Sequence, residues 1–89
     1  MALDTLLSMV EILLASSVAN ERGEIVSSMA RLALDDVLAE IEAGPDALDP
    51  FLALRITRAA DLAAQIHPTP DNEVWAHAIS DRAIRLAHR

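Results

Sequence analysis

Leu3-Asp4-Thr5-Leu6-Leu7-Ser8-Met9-Val10-Glu11-Ile12-Leu13-Leu14, near the head of an 89-residue chain, is too apolar to be left in water. At about 100° per residue, Leu3, Leu6, Leu7, Val10, Leu13, Leu14 and Val18 share one arc about 140° wide. That arc is the core face of a helix expected over Asp4–Asn20. Asp4 and Glu11 interrupt the run and no basic segment leads into it, so it is not expected to be a secretion signal. Nor does it reach the roughly 20 uninterrupted apolar residues of a bilayer span. Met9 and Ile12 fall on the far side of this helix with Thr5 and Ser16. They form a second, smaller apolar stripe, to be covered by another helix of the same bundle, by a second copy or by a partner.

If the helix ran on without a break, the next apolar arc would be turned about 150° away from the first. A break is therefore expected at residues 20–24, with Asn20 closing the first helix and Gly23 supplying backbone freedom. The second helix, Glu24–Ala43, carries Ile25, Val26, Met29, Leu32, Ala33, Leu34, Val37, Leu38 and Ile41. Its apolar arc leaves only a narrow polar strip of Glu24, Ser28, Arg31, Asp35 and Glu42, which predicts a helix central in its bundle or seated in an interface. Asp36 and Glu40, like charges one turn apart, break one edge of the arc and mark where it meets solvent or a basic partner.

Gly44-Pro45-Asp46 is a stop, with Gly44 expected at the C′ position. Asp49-Pro50 and Thr69-Pro70 repeat one device, a capping side chain followed by proline at the first helical position. They open helices over Pro50–Ile66 and from Pro70 to His88. The third helix is expected to bury Phe51, Leu52, Ile56, Ala59, Leu62, Ala63 and Ile66. Arg55 falls inside that arc. Either its stem lies along the core with the head in water, or it pairs with Glu11, Glu40 or a carboxylate of another subunit. The stripe of the fourth helix, Trp75, Ile79, Ala83 and Leu86, is narrow and predicts a peripheral helix packed on one side.

The expected fold is all-α, a small four-helix bundle built from two helical hairpins in one domain. A chain this short buries only about 60% of its extended surface. With no Cys and only three His to staple it, a homodimer is expected. All seven basic residues are Arg, which fits a GC-rich bacterial coding sequence, and the cytoplasm is the expected compartment. His77, Asp81, Arg85 and His88 line one face of the fourth helix, but two or three candidate ligands on one helix fall short of a metal site, so neither metal nor cofactor is expected. The carboxylate pairs Asp35/Asp36 and Glu40/Glu42 lack a neighbouring His. Ser16, Ser17, Ser27 and Ser28 lie inside helices rather than on the sharp turn of a hydrolase nucleophile, so no enzymatic activity is expected.

The net charge of −7 disfavours nucleic acid. It is also unevenly spread: residues 1–50 carry ten carboxylates against Arg22 and Arg31, while residues 51–89 carry four against five Arg. Such a split suits oriented encounter with a basic protein surface. The leading expectation is a regulatory or adaptor-like protein-binding domain whose partner or oligomer interface uses Met9, Ile12, Asp35, Asp36, Glu40 and Arg55. One alternative is an acidic decoy, an inhibitor or antitoxin of mobile-element origin, presenting Asp35, Asp36, Glu40, Glu42, Asp46 and Asp49 as a continuous ridge. Another is a multimer that contacts nucleic acid through Arg82, Arg85 and Arg89.

Overall fold

A computed structural model describes residues 3–17 and 23–89. Four helices and no strand occur among them: α1 (Leu3–Ser17), α2 (Gly23–Ala43), α3 (Pro50–Ile66) and α4 (Pro70–Ala87). α1 packs against both α2 and α3, which it could not do as part of one continuous rod with α2, so the two are separate helices, and the expected break at residues 20–24 lies largely outside the described residues. The expected burial of Leu3 and Val18 and the capping role of Asn20 lie outside the described residues and side chains.

Two of the breaks form as their residues dictate. The Asp49 carboxylate accepts from the Phe51 N–H at 2.7 Å, and the Thr69 hydroxyl accepts from the Asn72 N–H at 3.1 Å, each with proline at the start of the helix. Both glycines act differently from expectation. Neither has positive φ. Gly23 is the first residue of α2, where a Cβ would lie 2.8 Å from both the Cγ2 and the carbonyl oxygen of Ile66, so glycine is there for a close helix approach. Gly44 donates to the Ile41 carbonyl at 3.1 Å instead of adopting a left-handed turn. The end of α2 is closed from outside by Arg89, whose guanidinium donates to the carbonyls of Ile41, Glu42, Gly44 and Asp46.

Helix directions follow from contacts between named residues. Ser27 Oγ donates to the Ala63 carbonyl at 2.9 Å while Gly23 meets Ile66, so α3 runs antiparallel to α2. Arg31 pairs with Asp71 and Arg82 with Glu42, so α4 runs parallel to α2. The Leu48 N–H donates to the Leu86 carbonyl at 2.9 Å and ties the α2–α3 connection to the far end of α4. The fold is thus two helical hairpins. α2 touches all three other helices, and α1 does not reach α4.

The core is built from Leu7, Val10 and Leu14 of α1, Val26, Ala30, Leu34, Val37 and Leu38 of α2, Ile56 with a row of alanines on α3, and Trp75, Ile79, Ala83 and Leu86 of α4. Two expectations are corrected here. Phe51 is 79% exposed, and Leu52, Leu62 and Ile66 are only partly buried, because α3 turns Ala53, Ala60, Ala63 and Ala64 inward to let α4 approach closely. α4 is not peripheral: it packs on α2 as well as on α3, burying Asn72 and Ala76 besides its apolar stripe. Among the described residues, no buried side-chain polar atom lacks a partner. Buried Ser27 accepts from Asn72 Nδ2 at 3.3 Å, and Asn72 also donates to the His67 carbonyl at 2.7 Å.

Candidate interaction surface

Arg31, Asp35 and Glu42 of the narrow polar strip of α2 meet α4, while Glu24 and Ser28 are exposed. Arg31 donates to Asp71 at 2.7 Å and to Asn72 Oδ1 at 2.8 Å, with its guanidinium carbon 5.2 Å from the Trp75 ring centroid. The Trp75 indole N–H donates to Asp35 at 3.1 Å. Arg82 lies 3.6 Å from Asp35 and is hydrogen-bonded to Glu42. A polar seam therefore joins α2 to α4, and α2 shows solvent an apolar side instead.

That side carries Ile25 (62% exposed), Met29 (52%) and Leu32 (68%), spaced i, i+4, i+7 on one stripe. On α1, Met9 is 55% and Ile12 66% exposed, so the second stripe is largely open to solvent among the described residues. The two stripes lie on helices that pack against each other. On α1, the edge that meets α3 is Asp4, Ser8 and Glu11; on α2 it is Gly23 and Ser27; Met9 and the α2 stripe turn away from these edges, while Ile12 stands one turn after Ser8. They are also level. Arg55 stands about eight residues before Ala63, so antiparallel α2 reaches its level about eight residues beyond Ser27, near Asp35. Arg55 also meets Asp4, Ser8 and Glu11 of α1, which places Met9 beside the Leu32–Asp36 turn.

Asp36 continues the stripe one turn beyond Leu32, and Glu40 follows one turn later. Both are exposed and neither has an ion-pair partner among the described residues. They stand in the C-terminal half of a helix whose last turn holds no basic residue, where the helix dipole adds to their mutual repulsion. Beyond Glu40 the surface dips into a groove of about 370 Å³, with Ile41, Leu48 and Leu52 in its lining and Asp46 and Asp49 beside them.

The other expected interface residues are engaged within the chain. Arg55 donates to Glu11 Oε1 at 2.6 Å, to Ser8 Oγ at 3.0 Å and to Asp4, so its head is paired with α1, and Glu40 is not its partner. Hydrogen bonding to Glu11 and then Asp4 pushes the guanidinium pKa up. Asp35 is taken by Trp75 and Arg82. Of the three arginines expected to meet nucleic acid, Arg82 is bonded to the Glu42 side chain and Arg89 to backbone carbonyls at the end of α2, and for Arg85 no side-chain bond is found among the described residues. His77, Asp81 and His88 are exposed, and among the described residues no three metal-ligating side chains converge. No helix of the described residues is long and apolar enough to cross a membrane.

The six carboxylates of residues 35–49 form no single ridge. Asp35 and Glu42 face α4, Asp36 and Glu40 flank the apolar stripe, Asp46 lies in the connection and Asp49 caps α3. No protein-family model, curated protein or solved structure matches the chain.

Proposed function

We propose that this chain is a non-catalytic protein-interaction domain that works by burying the outer face of α1 and α2. The observation that carries the reading is the set Met9, Ile12, Ile25, Met29 and Leu32: five large apolar side chains, each at least half exposed, on two helices that pack against each other. Scattered apolar residues on a surface need no explanation, but a contiguous set marks a place where another surface sits. Two methionines in the set suit such a role, because their flexible thioether side chains adapt to the shape of a partner. A partner chain and a second copy would both satisfy the face.

The alternatives draw less support. A decoy of nucleic acid needs a continuous acidic ridge, and the carboxylates are divided between two edges of α2 and the connection after it. Nucleic-acid contact through α4 needs free arginines, and only Arg85 is unspent. The test is an affinity capture from the source organism with the native protein, with Met9→Glu plus Leu32→Glu, and with Phe51→Glu as a surface control. The expected result is a specific partner retained by the native protein and the Phe51 variant and lost by the α1–α2 variant. Equal capture by all three would count against the reading.

A further inference from the structure

The reading of α1–α2 as a docking face can be taken to the chemistry of its occupant. A chain that covers Met9, Ile12, Ile25, Met29 and Leu32 must also lie along Asp36 and Glu40, which continue the α2 stripe about 6 Å and 12 Å beyond Leu32. Among the described residues these two carboxylates have no ion-pair partner, and they sit near the negative end of the helix dipole. The groove past Glu40 adds Asp46 and Asp49 around an apolar lining at the same end. Among the described residues, the exposed arginines Arg58 and Arg85 lie on α3 and α4 and Arg89 is bonded to the end of α2, so none of these is paired with Asp36 or Glu40.

A second copy packed parallel fits poorly: Asp36 would face Asp36 and Glu40 would face Glu40, and like charges in apposition oppose binding.

We infer that the occupant is a basic amphipathic helix of another protein. It would lay three or four apolar residues at i, i+3 or i+4, i+7 spacing between α1 and α2, with Arg or Lys one and two turns beyond them against Asp36 and Glu40. The inference rests on the docking-face reading and adds the sign of the charge.

The test uses the full chain and two labelled synthetic peptides of about 18 residues. One carries a Leu stripe of that spacing followed by two Arg one turn apart; the other has Glu at the same two positions. Fluorescence anisotropy is expected to show the Arg peptide binding at least about tenfold more tightly than the Glu peptide, a preference that shrinks as salt rises. Asp36→Lys with Glu40→Lys is expected to reverse the preference, and Met29→Glu with Leu32→Glu to abolish binding of both peptides, all variants keeping the native helical circular dichroism. Equal binding of the two peptides, lost on Met29→Glu with Leu32→Glu, would overturn the charge inference and leave the docking face standing. A native dimer in light scattering that dissociates in Met29→Glu with Leu32→Glu, or failure of the native protein to bind either peptide, would also overturn it. Binding unaffected by the α2 substitutions would overturn the docking face itself.

Discussion

Single residues here do work that their type alone does not announce. The two glycines make the contrast. Helix propensity favours Gly23→Ala by up to about 1 kcal/mol, yet the new methyl would meet the Ile66 carbonyl oxygen at 2.8 Å. The substitution is expected to lower the urea midpoint. At Gly44 the same methyl finds its nearest neighbour at 3.6 Å and no positive φ to strain, so Gly44→Ala is expected to be neutral or stabilising by less than about 1 kcal/mol. Ser27 is buried and bonded on both sides, to Ala63 and Asn72. Ser27→Ala is expected to cost about 1–2 kcal/mol in the same urea titration, because it removes two buried hydrogen bonds and leaves Asn72 Nδ2 with only its bond to the His67 carbonyl. Arg55 holds α1 to α3, and its raised pKa means that its contribution is fully present below the ordinary guanidinium value and fades only as pH rises through the raised one. Mild alkali therefore leaves it intact. Arg55→Met removes it, and hydrogen exchange is expected to quicken in α1 ahead of the α3–α4 hairpin.

At the scale of elements, helix starts were legible because they are written locally: Asp49-Pro50 and Thr69-Pro70 cap their own helices within a few residues. Which side of α2 meets solvent was not. Periodicity reports what a face is made of, and the polar strip Arg31, Asp35 and Glu42 reads as a solvated edge until Trp75 and Arg82, some 40 residues away, are set against it. α3 misleads in a related way. Ranking its residues by size points to Phe51 as core, whereas the short Ala53, Ala60 and Ala64 side chains are what allow α4 to approach. Met9 and Ile12 stood out in sequence as surplus to the core arc. Their neighbours Ile25, Met29 and Leu32 did not, because they merge into a wide apolar arc whose inner and outer halves only packing separates. The end of α2 depends on Arg89 in the same non-local way. Arg89→Ala is expected to fray the last turn of α2, seen as faster amide exchange near residues 41–46, and to cost on the order of 1 kcal/mol.

The whole molecule measures 40 × 27 × 18 Å, and 18 Å is about two helix diameters. A bundle two layers thick gives every helix an outer side. Among the described residues the exposed large apolar side chains are shared between α1–α2, with Met9, Ile12, Ile25, Met29 and Leu32, and α3–α4, with Phe51, Leu54, Val74 and Ile84. The ties that close the bundle are also distant along the chain: Arg31 to Asp71 and Arg82 to Glu42 join residues 40 apart, and Arg55 to Asp4 joins residues 51 apart. This imposes an order on folding. While the chain is being synthesised, α1 and α2 emerge with Asp35 and Glu42 unneutralised and the end of α2 uncapped, and all three wait for the last helix. A fragment of residues 1–66, which lacks Trp75, Arg82 and Arg89, is expected to be helical yet to melt without a cooperative transition in circular dichroism. The outer apolar side of the α1–α2 hairpin needs none of those late contacts to exist. A partner could therefore meet the nascent chain before the bundle is complete and act as a template for its closing.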